Sequence, residues 1–247
     1  MGKTLVKGLH LLEKLAASQE PRGISELAAE LDLVQSNVHR LLQELMQSGY
    51  VLQDPITRRY RCSMRLWELG TQISARMDLS HIARPHMQAL VRLSQETVQL
   101  AILDGTDVLY IDKVDSPQPV RSYTRVGSRA PAYCTGTGKS LLAYCPDLSA
   151  AIPTRLVKHT TTTIGTVAAL KKELQQVREQ GYSENVGEWR DDVYGVAAPL
   201  FDATGAVPAA IGISGPRTRM EPVVIERVRG LLLDATLTIS RELGYRG

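Results

Sequence analysis

Between Thr4 and Ser48 the apolar residues fall into three runs at helical spacing. The first run is Leu5, Leu9, Leu12 and Ala16, and the second is Leu27, Ala28 and Leu31, opening at Ser25, a residue able to cap helix N–H groups. After the break at "DLV", the third run is Val38, Leu41, Leu42 and Leu45, with Gly49 placed to stop it. Three short helices with a tight break before the last predict a helix-turn-helix. Ala28 supplies the small residue that two crossing helices need, and Val38, ten residues on, packs back against it. Asp32 holds a turn position where Gly is common, and Asp tolerates the left-handed conformation better than most residues. Beyond Gly49, "YVLQDPITRRYRC" gives two short strands about a Pro-containing turn, a hairpin wing.

From Met64 the chain is again apolar at helical spacing, with interruptions near Asp78 and Pro85, which predicts a linker helix followed by the first helix of a second domain. The period then changes. "VQLAILDGTDVLYIDKV" alternates on either side of Asp104-Gly105, "PVRSYTRV" is a third strand candidate, and "VYGVAAPLFD" and "AVPAAIGISG" flank Ala203-Thr204-Gly205. Pro208 is expected at an edge or bulge. Helices are expected at "GTGKSLLAYC", at "TVAALKKELQQVREQGY" with Thr166 as cap and Gly181 as stop, and from about Glu221 to Leu243. Hairpin-joined strands with flanking helices predict an α+β domain on a mainly antiparallel sheet. The expected division is residues 1–63 for the winged helix-turn-helix, 64–79 for the linker helix and 80–247 for the second domain.

The polar residues heading the third helix add a function. The first residues of the last helix in such a motif meet base edges in the major groove. Gln35, Ser36, Asn37, His39 and Arg40 are the candidates: Asn or Gln can pair with adenine through two bonds, and Arg with guanine. Net charge is only +3, and residues 1–76 carry ten Lys and Arg against eight Asp and Glu. The local excess is in "DPITRRYRCSMR", where Arg58, Arg59, Arg61 and Arg65 face only Asp54, and wing arginines would hold phosphate.

Composition narrows the remaining classes. The chain has 247 residues, 43% of them apolar, enough for two domains, and no apolar run of about 18 residues to cross a membrane, so a cytoplasmic location is expected. Cys62, Cys134 and Cys145 are odd in number and lack paired spacing, which argues for free thiols over disulfides or zinc. His81 and His86, five apart with Pro85 between them, are not a helical metal pair, and no cofactor is expected. "GTGKS" looks like a phosphate-binding loop, but the Gly that loop needs five residues before Gly138 is Tyr133. Thr135, Gly136 and Thr137 instead open a helix whose N–H groups and dipole attract an anion, and close packing of that helix suits small residues equally well. Ser140 and Cys134 lack a recognisable nucleophile motif, so an enzyme is not expected.

The winged motif, "YIDKVDSPQPVR", "VGSRAPAYCTGTGKSLLA", "LKKELQQVREQGY" and "GVAAPLFDATGAVPAAIGISGP", in that order, resemble the IclR family of bacterial transcription regulators over nearly the whole chain. The resemblance implies a GAF-like effector domain, a homodimer or homotetramer, and palindromic promoter DNA as partner. It also implies a small carboxylate effector held at Gly136 and Thr137, at Asn185 where an acidic residue is frequent, at Gly195 where a cysteine is frequent, and at Gly212 and Ser214 where a serine pair is usual. Only Ser214 keeps the polar side chain of that pattern. The departures point to an effector larger than glyoxylate or pyruvate, an aromatic or sugar-derived acid, with Trp189 and Tyr133 as candidate walls for a ring. The alternatives are a ligand-free DNA-binding adaptor and, further off, an enzyme acting on a small acid.

Overall fold

A computed structural model describes residues 3–75, 78–121 and 124–247. The chain divides into two compact units, Met1–Met77 and Asp78–Gly247.

In the first unit α1 (Lys3–Ala17), α2 (Ile24–Glu30) and α3 (Gln35–Gln47) precede a two-stranded antiparallel wing of β1 (Val51–Gln53) and β2 (Tyr60–Cys62). Leu27, Ala28, Val38, Leu41 and Leu42 share one buried core, as their spacing predicts. Asp32 takes the left-handed turn at φ 52°, and Gly49 follows α3 at φ 78°. Two expectations change. Helix α2 is capped by Gly23, whose N–H donates to the Glu26 carboxylate at 3.3 Å, so Ser25 lies inside the helix. Helix α1 turns Leu11 and Leu15 inward and leaves Leu5 70% and Leu9 51% exposed, so its buried stripe is not the expected one. Helix α4 (Arg65–Ala75) follows the wing. Of the expected linker, residues 64–79, residues 76 and 77 lie outside the described residues, and 78 and 79 belong to the helix that follows.

The second unit begins with α5 (Asp78–Ser94), which carries Pro85 within its length rather than breaking there. Strands β3 (Thr97–Asp104) and β4 (Asp107–Val114) form the expected hairpin. Of "PVRSYTRV", residues 122 and 123 lie outside the described residues and the rest is not strand; the next strand is β5 (Arg129–Pro131). Helices α6 (Gly136–Leu142), α7 (Leu148–Ala151) and α8 (Val167–Gln180) come next, α8 with Thr166 as cap and Gly181 left-handed at its end. Strands β6 (Ser183–Val186), β7 (Val193–Leu200) and β8 (Ala209–Pro216) and helix α9 (Pro222–Glu242) complete the unit. Pro208 sits in the loop entering β8, a central strand, rather than at an edge or bulge.

The sheet order is β5-β4-β3-β8-β7-β6, antiparallel throughout. Alternation sorts its two faces. Val98, Leu100, Val196, Ala198, Ile211 and Ile213 pack with α5 and α9. The residues between them, among them Gln99, Gly195, Ala197, Gly212 and Ser214, look to the other face, where α6 lies against β7 and β8. Small side chains there let α6 approach and leave space at its start.

Candidate functional site

The first unit presents a polar helix face. Gln35, Ser36, His39 and Arg40 are exposed on α3 and Asn37 is half-buried. Gln35 donates to the Ser25 hydroxyl at 3.3 Å, which ties the head of α3 to α2. Arg40 is held by Glu44 one turn on, at 2.8 Å. The wing tip is built on Asp54, whose carboxylate accepts the N–H groups of Ile56 and Thr57 at 2.9 and 2.7 Å. Those bonds, Thr57's foremost, hold the carboxyl below its ordinary range. Tyr60 and Arg22 exchange backbone bonds at 2.8 Å each, pinning the wing to the helices. The arginines then separate. Arg58, at φ 58°, and Arg61 are exposed, while Arg59 pairs with Glu26 at 2.6 Å and donates to the Pro21 carbonyl at 2.9 Å.

In the second unit the start of α6 and strands β3, β4, β7 and β8 surround a cavity of about 160 Å³. Thr135, Gly136, Thr137, Asn185, Trp189, Gly195, Gly212 and Ser214 all line it. Tyr133 does not: it is buried elsewhere, its hydroxyl donating to the Val157 carbonyl at 2.7 Å and lying 3.0 Å from His159 Nε2. Further side chains complete the lining, among them Gln99, Tyr110, Arg121, Arg190 and the carboxylate Asp192. Gln99 was within reach of the sequence, as a polar residue at the centre of an otherwise apolar strand. Nothing local marks the others.

Most polar groups of the lining are paired; Gln99, Tyr110, Thr135, Thr137 and Ser214 are buried, while Arg121, which meets Asp115 at 3.5 Å, and Arg190 are exposed. Gln99 Nε2 donates to Ser214 Oγ at 3.0 Å, across the β3–β8 register. Burial pushes the Tyr110 phenol up to about 12, against the opposing effect of its hydrogen bond with Thr137, so it stays protonated and able to donate. Thr135 caps α6, its hydroxyl accepting the Gly138 N–H at 3.2 Å. The Arg190 guanidinium lies over the Trp189 ring, 5.0 Å from its centre. Asn185 spends its amide on the β6–β7 loop, accepting from the Glu188 N–H at 3.1 Å and donating to the Val193 carbonyl at 3.2 Å.

The glycines divide by cause. A Cβ on Gly138 would collide with the Ala132 carbonyl, and one on Gly195 with the carbonyl of Ile213 on the adjoining strand. Both are demanded by close approach, whatever occupies the cavity. Gly212 differs, since its Cβ would meet only side chains, the Thr137 methyl at 2.9 Å first.

A winged helix-turn-helix joined in one chain to an α+β unit with a buried polar cavity defines a DNA-binding regulator with an effector domain. Residues 4–55 match the IclR helix-turn-helix domain, and residues 71–241 match the bacterial transcriptional regulator IclR C-terminal domain. The chain belongs to the IclR family of bacterial transcriptional regulators. It is 35% identical to the Escherichia coli regulator KdgR over 245 residues, 98% of this chain and 93% of that protein. To the Bacillus subtilis regulator KipR it is 31% identical, covering 98% of each. Among solved structures, Thermotoga maritima IclR superposes with a TM-score of 0.81 at 31% identity, covering 98% of this chain and 99% of that one. An IclR homologue of Microbacterium hydrocarbonoxydans, complexed with 4-hydroxybenzoate, gives 0.85 at 26% identity and the same coverage. No helix among the described residues is long and apolar enough to cross a membrane.

Proposed function

We propose that this regulator binds a palindromic promoter site as a homodimer or homotetramer in the cytoplasm, and that a ring-sized hydroxylated carboxylate controls its occupancy through the second unit. One short recognition helix reads too few bases for useful selectivity, which favours paired half-sites. Gln35, Ser36, Asn37, His39 and Arg40 read bases, and Arg58 and Arg61 supply most of the phosphate contact. Arg59, already engaged by Glu26, serves chiefly to hold the wing. The effector reading is carried by the convergence of the Gln99–Ser214 pair, Tyr110 and Thr137 with Arg121 and Arg190 on one cavity. The arginines suit a carboxylate, and the buried hydroxyls and amide suit a hydroxyl group. A cavity of about 150 Å³ accommodates benzene, so a six-membered ring matches this one. The relative bound to 4-hydroxybenzoate carries both groups on such a ring. Repression is the favoured direction, since AllR of Escherichia coli, 31% identical over 247 residues, is a transcriptional repressor.

The chain acts by binding, not catalysis, and needs no cofactor. Supporting this, Ser140 is locked by Ser183 at 2.9 Å and the Ala197 carbonyl at 3.0 Å, and burial pushes the Cys134 thiol up to about 12, far from a reactive thiolate.

The test is a ladder of acids, glyoxylate, pyruvate, benzoate, 4-hydroxybenzoate and a sugar acid, read by thermal shift and by release of a fluorescent duplex selected from random sequence. The hydroxylated ring-sized acids should stabilise the protein and release DNA. Best response to glyoxylate or pyruvate would overturn the size argument, and no response to any acid would favour a ligand-free adaptor.

A further inference from the structure

Behind the cavity wall lies an ion pair that the binding site does not use. Lys139 projects from α6 and is 1% exposed, yet its amino nitrogen meets two carboxylates, Glu188 Oε1 at 2.6 Å and Glu173 Oε1 at 2.8 Å. Glu188 is itself 6% exposed, and its second carboxylate oxygen has no hydrogen-bond partner among the described residues. Burying a lysine and a glutamate with one oxygen unsatisfied is unfavourable compared with an apolar pair of the same size. The arrangement therefore calls for a reason beyond stability.

Position supplies one. Glu188 lies in the β6–β7 loop, directly before Trp189 and Arg190, which line the cavity, whereas Lys139 and Glu188 do not. The loop contacts α6 through this pair, and α6 supplies Thr135, Gly136 and Thr137 to the same cavity. From the outer side Thr160 and Thr162 donate to the Gly187 carbonyl at 2.7 and 2.8 Å, and Thr163 donates to the Glu188 carbonyl at 2.5 Å. The loop is thus closed across itself by Asn185, bonded from outside by threonines and held to α6 by one buried charge pair.

We propose that Lys139 and Glu188 are positioning residues for effector recognition: their pair fixes the Trp189–Arg190 wall against the start of α6. The inference rests on reading the cavity as the effector site. Because a pair of charges has one bonded arrangement where apolar contacts have many, it sets the loop in one register. Removing Lys139 leaves the Glu188 carboxylate buried without its partner, and removing Glu188 leaves Lys139 to Glu173 alone; either way the loop loses its bond to α6 and moves.

Trp189 makes the wall observable without a ligand. The chain has two tryptophans, so a Trp67→Phe background leaves Trp189 as the only indole. In that background Lys139→Met and Glu188→Ala should shift Trp189 emission to the red and raise its quenching by acrylamide in the unliganded protein. They should weaken 4-hydroxybenzoate, or whichever acid of the ladder binds best, by roughly tenfold to a hundredfold, the range for groups that support ligands from behind in metal sites. DNA affinity without effector should be unchanged. Val228→Ala, in the core on the opposite sheet face, is the control: it should lower the melting temperature and leave both the emission and the effector affinity alone. Unchanged emission in Lys139→Met and Glu188→Ala would overturn the inference, as would emission that moves equally in Val228→Ala. Should one clamp variant fail to fold, the other decides. If no acid binds the parent, the effector reading fails separately, and the Trp189 emission still tests the clamp.

Discussion

The wing arginines invite a quantitative test because the structure treats neighbours differently. Each phosphate contact on duplex DNA contributes about 0.9 to the slope of log affinity against log salt, through release of condensed counterions. Arg58 and Arg61 are exposed, so each is free to make one contact per protomer. In a homodimer, Arg61→Ala should then lower the slope by about 1.8, and over a twofold rise in salt the parent should lose about 3.5-fold more affinity than the variant. Arg58→Ala should do the same. Arg59 is already neutralised by Glu26 and fixed by the Pro21 carbonyl. A guanidinium that keeps its internal carboxylate releases no counterion from DNA. The variant that tests this is Arg59→Gln with Glu26→Gln, which removes both charges at constant net charge and leaves Arg22, also paired with Glu26, its second partner Glu30 at 3.0 Å; its slope should equal the parent's. Fluorescence anisotropy of the selected duplex, titrated from about 50 to 200 mM salt, measures all four proteins in the range where such slopes are linear. If the double variant lost as much slope as Arg61→Ala, Arg59 would leave Glu26 for phosphate and the division would be wrong.

Three further outcomes follow from local geometry. Gly138→Ala, whose Cβ would collide with the Ala132 carbonyl, should destabilise the protein by about 1–3 kcal/mol in chemical denaturation, the usual cost of overpacking. Asp32→Val, placing a β-branched residue at φ 52°, should cost about 1–2 kcal/mol, while Asp32→Gly should be tolerated; equal melting of the two would remove the strain argument. Cys134, fully buried with its thiol pushed up to about 12, should resist iodoacetamide at pH 8 in the folded protein and react on unfolding, as mass spectrometry of the labelled peptides will show.

The helix-turn-helix was legible because its determinants are close in sequence. Ala28, Asp32, Val38 and Gly49 all fall within one stretch of 22 residues, so spacing alone places them. Helix α1 shows where that logic stops. Its leucines lie at 5, 9 and 12 and also at 11 and 15, two stripes that satisfy the same period, and only the packing partner chooses Leu11 and Leu15. Strand β5, three residues long, is too short to show a period, and Pro85 within α5 defeats a rule that holds for most helix interiors. The cavity was legible by another route. Its eight expected residues came chiefly from family resemblance, and two of the missed ones, Gln99 and Tyr110, come from the hairpin of β3 and β4. Gln99 meets Ser214 across 115 residues, a pairing fixed by the sheet order and by no local signal.

That distance also changes what the substituted positions mean. From the sequence, Gly195 and Gly212 are alike: each lacks the side chain that the family resemblance implies, and each opens space. In the fold they are register partners of different residues, Gly195 of Ser214 and Gly212 of Ala197, and they face different neighbours. A side chain at Gly195 would have to displace the backbone of β8, so a cysteine there requires strands that diverge locally, and its absence says as much about strand spacing as about the ligand. A side chain at Gly212 would meet the Thr137 methyl at 2.9 Å and the Gln99 amide at 3.5 Å, groups that one rotation can move aside. Those two groups also line the cavity, so bulk added at 212 would be taken from the volume that a ligand fills. On the proposed effector reading, the room for a ring is therefore set at Gly212, between Thr137 and Gln99, while Gly195 keeps β7 and β8 close enough to hold that floor in place.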